Sequence, residues 1–336
     1  MKITRKDVAK YAGVSEQTVS YVLNDSRKFS DEVVKKVREA IEVLHYKPDM
    51  IAKSMVTKKT HTVAILVRDM ANPIFPAVVH GFQERASEFG YSVYISDIAG
   101  GVDVNSQISD LVSRRIDGVY LSLVSEDRMN EIVEKFVVND IKVVLGNKDK
   151  NVNYDVSCVR TDFSAGMRKI VDYLFRQGHQ EIVYVSGLNI NADNDERYMS
   201  FVSAYKEIFG TEPYVIENDA PYTTTVEDGI RLTEKLLRER VSFSAIVATN
   251  DLMAYGVIDC LTLHGKRIPE DVSVVGIDDI LYSKYINPPL TTLGYDYRQL
   301  GRESFDALKF KIDNNADSDR LIDTYIVERS TVKKIK

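Results

Sequence analysis

Tryptophan is absent from the 336 residues, cysteine occurs only twice and proline eight times. Cys158 and Cys260 lie far apart, with no CxxC or metal-ligand spacing. That argues against a disulfide-stapled scaffold or a zinc module and leaves reduced structural thiols as the simplest reading. No apolar run approaches the ~18–20 residues a membrane-spanning helix needs. The opening MKITRKDVAK has no apolar stretch of signal-peptide type, so a cytoplasmic location is expected. Catalytic phosphate and nucleophile motifs are missing too. After the first strand pattern stands Arg68-Asp-Met-Ala-Asn-Pro73 rather than GxGxxG, and neither GxxxxGK[ST] nor GxSxG occurs. Five histidines, at 45, 61, 80, 179 and 264, show no HExxH or other metal spacing. His179 follows Gly178 between a helix and a strand and reads as structural. A binding protein is expected rather than an enzyme, with no metal and no cofactor.

What is present is unevenly charged. The chain carries a net −6, yet residues 1–60 hold 13 Lys and Arg against 8 Asp and Glu, a surplus of five positive charges. The remainder, with 31 basic and 42 acidic residues, is at −11. A basic segment on an acidic body suggests an anionic partner for the N-terminus, although a solvated basic arm would carry the same charge.

Three short helical patterns fill that basic segment. Thr4 and Asp7 resemble a capping pair, Ala12-Gly13-Val14 a tight turn, and Ser15 a cap for a second helix over Glu16 to about Leu23. Ser30 is placed to cap a third, with Val33, Val34, Val37, Ala40, Ile41 and Leu44 at helical spacings. Helix, Gly-containing turn, helix is the helix-turn-helix arrangement, whose second helix enters the DNA major groove. Glu16, Gln17, Ser20 and Tyr21 would then face base edges, with Gln suited to adenine and Glu to cytosine. Thr4, Ser15, Thr18 and Asn24 would serve the phosphates. A small three-helix bundle made for protein contact would show the same periodicity.

The wording decides between them. ITRKDVAKYAGVSEQTVSYVLND resembles the DNA-binding signature of the LacI/GalR family, matching at Asp7-Val8-Ala9, Ala12-Gly13-Val14-Ser15, Thr18-Val19-Ser20 and Val22-Leu23-Asn24. Tyr21 stands where that family usually has Arg, so the operator base read there is expected to differ. Tyr46-Lys-Pro-Asp-Met-Ile-Ala52 resembles the start of the family hinge, with Asp49 in place of the usual Asn. The resemblance implies that residues 49–56 fold on operator DNA and that Met55 is the apolar wedge in the minor groove. It further implies a homodimer on double-stranded, pseudo-palindromic operator DNA, acting as a transcriptional regulator.

From residue 61 onward, β-branched runs alternate with helical patterns. Candidate strands are Thr62–Val67, Tyr91–Ser96, Gly118–Leu123, Lys142–Leu145 and Val156–Thr161. A second series comprises Ile182–Ser186, Tyr214–Glu217, Ala245–Thr249, Val272–Ile277 and Thr291–Leu293. The fold class is therefore a small all-α helix-turn-helix domain followed by two doubly wound α/β lobes with parallel sheets. By resemblance the lobes are of the type I periplasmic-binding-protein kind. The expected division is 1–46 for DNA binding, 47–60 for hinge and linker, and 61–336 for effector binding and dimerisation. Within the last, one lobe takes about 61–161 plus 294–320 and the other about 162–290 plus 323–336, with crossings near 161–163, 290–294 and 320–323.

Open parallel sheets bind ligands beyond the carboxyl ends of their strands. Asn250 and Asp278 sit at such ends, and their donors and carboxylate oxygens suit a polyol; Asp251 reads instead as a helix cap. The family resemblance adds Arg197 in DERYMSFVSAY and Ile74 and Phe75 in the other lobe. Asp162 and Tyr222 complete the effector-binding set, with Tyr295 and Tyr297 flanking a crossing. A sugar effector is expected, with a purine or nucleoside as the alternative; a solute-binding protein without regulation would leave the first sixty residues unexplained. Ile74, Val78 and Phe82 offer an apolar face for the dimer. ERSTVKKIK at the C-terminus has no leucine heptad for a coiled-coil tetramer.

Overall fold

The run TVAILV is apolar on both faces and forms β1 (Thr62–Val67), with every residue after Thr62 buried. Val63, Ile65 and Val67 face one core while Ala64 and Leu66 face another, the period of two that a sheet covered on both sides requires. The computed structural model describes residues 3–23, 29–47, 54, 59–98, 103–122, 129–147, 152–187, 195–218 and 223–335. Asn24, Met55 and Tyr222 lie outside these residues, as does most of the expected hinge. The chain divides into two compact units, Met1–His61 and Thr62–Lys336.

In the first unit, α1 (Arg5–Ala12), α2 (Glu16–Leu23) and α3 (Asp31–Val43) close over Val8, Ala9, Val19, Val37 and Ala40. The Asp7 carboxylate accepts from the Thr4 backbone N–H at 2.8 Å and from its hydroxyl at 2.6 Å, fixing the start of α1. Gly13 ends that helix at φ 67°, where a side chain would be strained. Ser15 Oγ accepts from the Thr18 N–H at 3.0 Å and so caps α2. Ser30 occupies the cap position of α3, but its side chain makes no capping bond.

The second unit continues through α4 (Ile74–Glu88), β2 (Ser92–Asp97), α5 (Val104–Ser113), β3 (Gly118–Ser122), α6 (Met129–Val137), β4 (Lys142–Leu145) and β5 (Ser157–Thr161). Then come α7 (Phe163–Arg176), β6 (Ile182–Ser186), α8 (Glu196–Phe209), β7 (Tyr214–Glu217), α9 (Val226–Glu239), β8 (Ala245–Ala248) and α10 (Asp251–Leu263). The chain ends with β9 (Ser273–Asp278), a short 3-10 turn at Leu281–Lys284, β10 (Thr291–Tyr295), α11 (Tyr297–Asn314), β11 (Arg320–Ile322) and β12 (Thr324–Val327). One sheet has the order β11-β5-β4-β3-β1-β2 and is parallel throughout. The other has the order β12-β10-β9-β8-β6-β7. Its last strand departs from the expected all-parallel pattern: β12 pairs antiparallel to β10, Thr292 opposite Val327. Only Asp323 separates β11 from β12, so the chain passes from one sheet to the other and has no crossover helix to set a parallel direction.

β10 is buried along its whole length between β9 and β12, so the crossing expected at 290–294 falls inside a strand of the second sheet. The passage back to the first lobe is at Asp296, which caps α11. That helix packs along α4 at very short range. A Cβ on Gly301 would stand 2.0 Å from the Val78 carbonyl oxygen, and one on Gly81 would stand 2.2 Å from that of Arg298. Ile74, Val78 and Phe82 are therefore buried within the chain, at 3%, 2% and 0% exposure, and cannot be the dimer face expected of them. The sequence pattern marks α4 as apolar but does not reveal that a helix more than two hundred residues away covers it.

His179 is fully buried, its ring nitrogens 2.9 Å from Ser244 Oγ and 3.2 Å from the Lys333 carbonyl oxygen. It ties the chain terminus to the second sheet.

Candidate nucleic-acid interface and effector cavity

α2 presents a polar edge. Ser15, Glu16 and Gln17 are exposed, as is Thr4; Thr18, Ser20 and Tyr21 are partly buried, and Val19 alone is buried beneath them. Gln17 Nε2 donates to the Tyr21 hydroxyl at 2.9 Å, one helical turn on, and the Tyr21 ring stacks on Phe29 with centroids 6.3 Å apart. Gln17 is thereby held by a residue that is itself packed. Its carboxamide oxygen and second amide proton stay open to a base edge. Ser15 and Thr18 are committed to each other across the cap, hydroxyl to hydroxyl at 2.9 Å.

In the second unit, strand ends from both sheets meet at a cavity of about 210 Å³. Ile74, Phe75, Arg197, Asn250 and Asp278 all line it. Asp278 ends β9 at φ 118°, a strained backbone angle for a non-glycine residue. Its Oδ1 accepts from Arg197 Nη2 at 2.9 Å and from the Tyr295 hydroxyl at 3.2 Å. Arg197 Nη1 donates to the Thr249 carbonyl at 2.9 Å, and its guanidinium lies 4.5 Å from the centre of the Phe163 ring. Burial pushes the Asp278 carboxyl up to about 6, opposed by Arg197.

Asn250 is the cap of α10. Oδ1 accepts from the Met253 N–H at 2.9 Å and Nδ2 donates to the Thr224 carbonyl at 3.1 Å, which leaves one amide proton and one lone pair for a ligand. Asp162 does not line the cavity; its side chain caps α7 by accepting from the Ala165 N–H at 2.9 Å. A carboxylate at a strand end serves a cap as readily as a ligand, and here the next helix starts at once. Asp251 goes the other way. It is no cap but a fully buried acceptor for the Ile280 N–H at 2.9 Å and for the hydroxyls of Ser283 and Thr292.

Cavity residues that sequence reasoning missed include Phe163, Arg160, Asp195 and Glu196. Phe163 meets Tyr295 edge to face at 5.8 Å, and both add rings to a wall that already holds Phe75 and Tyr120. Arg160 pairs with Glu196 at 2.7 Å. Asp195 caps α8, two residues before Arg197, and that Asp-x-Arg spacing at a helix start was the available signal. Among the described residues, no helix is long and apolar enough to cross a membrane and no group of three or more metal-ligating side chains occurs.

Residues 4–49 match the profile of bacterial regulatory proteins of the lacI family, and residues 171–332 match a periplasmic binding protein-like domain. The chain is 30% identical to the HTH-type transcriptional repressor PurR of Mannheimia succiniciproducens, over 99% of each protein. It is 32% identical to that of Vibrio atlanticus, again over 99% of each. The chain belongs to the LacI family. Solved structures agree. The lac repressor dimer bound to operator and the anti-inducer ONPF superposes with a TM-score of 0.82 at 26% identity, covering 99% of this chain and 100% of that one. The CelR–cellobiose complex gives 0.71 at 25% identity, covering 98% and 99%. This LacI-family member is a DNA-binding transcriptional repressor: a helix-turn-helix unit joined to an effector-binding domain.

Proposed function

We propose that this LacI-family repressor acts as a cytoplasmic homodimer on genes of carbohydrate uptake or catabolism, with operator affinity set by a sugar bound in the cavity. The observation that carries the effector reading is the composition of that cavity. Its wall combines apolar surface from Ile74, Phe75 and Phe163 with the donors and acceptors of Arg197, Asn250 and Asp278, which matches a sugar ring with its apolar face and hydroxyl rim. The CelR relative, seen with cellobiose, supports it. A second reading, a nucleobase or nucleoside, is favoured by the flat rings of Phe75 and Phe163. In either case Arg197 and Asp278 anchor the polar edge of the ligand.

Operator contacts are assigned to Thr4, Ser15, Glu16, Gln17, Thr18, Ser20, Tyr21, Asn24 and the wedge Met55, the first and last helices of the unit serving to position α2. The dimer surface is assigned to apolar side chains the monomer leaves in water: Leu281, Tyr282 and Tyr285, 60–67% exposed, and Tyr94 and Ile95 on edge strand β2, 41–42% exposed. Ligand binding alters the angle between the lobes, and residues 47–60 pass that change to the DNA-binding unit. The ligand shifts this balance only by its difference in affinity for the two states, about 1–3 kcal/mol in typical cases.

A thermal-shift screen against sugars, sugar phosphates, nucleosides and purines tests the reading. A ligand at about 100 times its dissociation constant adds roughly 2.7 kcal/mol to native stability. A selective sugar hit that disappears in Arg197→Ala supports the proposal; a selective purine hit replaces the sugar with the second reading.

A further inference from the structure

Asp195 carries an oxygen that the described residues of the fold do not use. Its Oδ1 accepts from the Arg197 N–H at 2.9 Å, the ordinary work of a helix cap. Its Oδ2 is buried and has no hydrogen-bond partner among the described residues. The side chain belongs to the cavity wall. The other carboxylates of that wall are differently placed: Asp278 accepts from Arg197 and Tyr295, Glu196 from Arg160, and Asp69 from the Ala71 N–H. An unmet carboxylate oxygen shut away from water is costly to keep. Burial accordingly pushes the Asp195 carboxyl upward, against the pull of Arg197 and two backbone N–H groups.

We propose that Asp195 Oδ2 is the acceptor for a hydroxyl or N–H group of the bound effector, which makes Asp195 a specificity-determining residue that selects neutral, donor-bearing ligands over anionic ones. The inference rests on the effector-cavity reading and deepens it. A site that hydrogen-bonds a ligand donor rejects the analogue lacking it far more strongly than an apolar pocket rejects a misfit, because the analogue leaves the buried acceptor unmet. A phosphorylated sugar brings a like charge to the same oxygen and is disfavoured on electrostatic grounds.

The test uses the full-length protein as wild type, Asp195→Asn and Arg197→Ala, in two arms. The first measures urea unfolding of each ligand-free protein at pH 8. Asparagine keeps the cap through Oδ1 and removes the unmet anion, so Asp195→Asn is expected to be at least as stable as wild type. A clear loss of stability would mean that Oδ2 is already satisfied and would overturn the proposal. The second arm titrates D-glucose, glucose 6-phosphate, D-ribose, cellobiose, adenine and hypoxanthine by calorimetry. Whichever neutral compound binds wild type should bind Asp195→Asn roughly 10- to 100-fold more weakly, and glucose 6-phosphate should bind more weakly than glucose. Unchanged affinity in Asp195→Asn, with affinity lost in Arg197→Ala, overturns the role of Asp195 and leaves the cavity reading intact. If no compound binds wild type, the effector reading fails on its own, while the unfolding arm still decides whether Oδ2 is unmet. A hit among the sugars or among the bases identifies which source of the donor applies.

Discussion

Arg197 donates to Asp278 at 2.9 Å with both side chains almost wholly out of water, at 9% and 2% exposure. The two members are not equivalent in what their loss leaves behind. A buried carboxyl can take up a proton and become neutral, whereas a guanidinium keeps its charge at any accessible pH. Asp278→Ala should therefore cost about 3–5 kcal/mol near pH 5 and less at pH 8, because the wild-type carboxyl, raised to about 6, itself costs stability as it ionises. Arg197→Ala should cost less at pH 5 than at pH 8, because the remaining carboxyl is protonated there. Urea unfolding across that range reads the difference. Equal, pH-independent losses in both variants would show that the ion pair is not the dominant interaction.

Asp251 predicts a pH slope of its own. Burial, reinforced by the charge of Asp278, pushes its carboxyl up to about 7 from the usual 3.8. The folded protein thus holds a proton that the unfolded chain has already released. Stability from this group is complete below about pH 4, falls as pH rises, and is gone above about pH 7, a change on the order of 4 kcal/mol. Asp251→Asn should flatten the curve between pH 4 and 7. A variant as steep as wild type would place the slope elsewhere.

How much of this was legible beforehand depended on what each residue has to answer to. The turn at Gly13, the Ser15 cap and the buried run of β1 follow from local chemistry, which the sequence displays directly. Asn250 and Asp278 followed from the strand-end rule. Asp162, named as an effector ligand, caps a helix instead, and a cap was wrongly read into Asp251, because a carboxylate at a strand–helix junction serves either purpose and only the neighbours decide. β11 and β12 are three and four residues long and parted only by Asp323, so no helix or turn marks them as two strands. Nothing local marks α11 as the cover of α4.

Gly301→Ala should show how tight that cover is. The added methyl would meet the Val78 carbonyl at 2.0 Å, a backbone atom that cannot swing aside. The helices must part, at a cost of about 1–3 kcal/mol. Calorimetry should show a lower melting temperature while affinity of the DNA-binding unit for its operator half-site stays unchanged. An unaltered melting temperature would mean that the two helices separate freely.

Tyr21→Phe tests the DNA face. The change keeps the ring on Phe29 but deletes the hydroxyl that receives Gln17. Against an operator selected from a random library, specific affinity should fall by about 1 kcal/mol or more, with affinity for unrelated DNA unaltered at the same salt concentration. Fluorescence anisotropy separates the two, and an equal fall on both kinds of DNA would assign Tyr21 to the phosphates.

The close seat of α11 on α4 also bears on how the protein is made. Roughly two hundred residues of chain lie between the end of one helix and the start of the other. At about 5–20 residues per second, translation leaves the Val78 and Phe82 face without its cover for about 10–40 s after α4 has left the ribosome. The first lobe cannot mature while it is being synthesised, however early its own strands emerge. A nascent chain arrested before residue 297 would present that greasy face to chaperones, and release from them would await synthesis of α11.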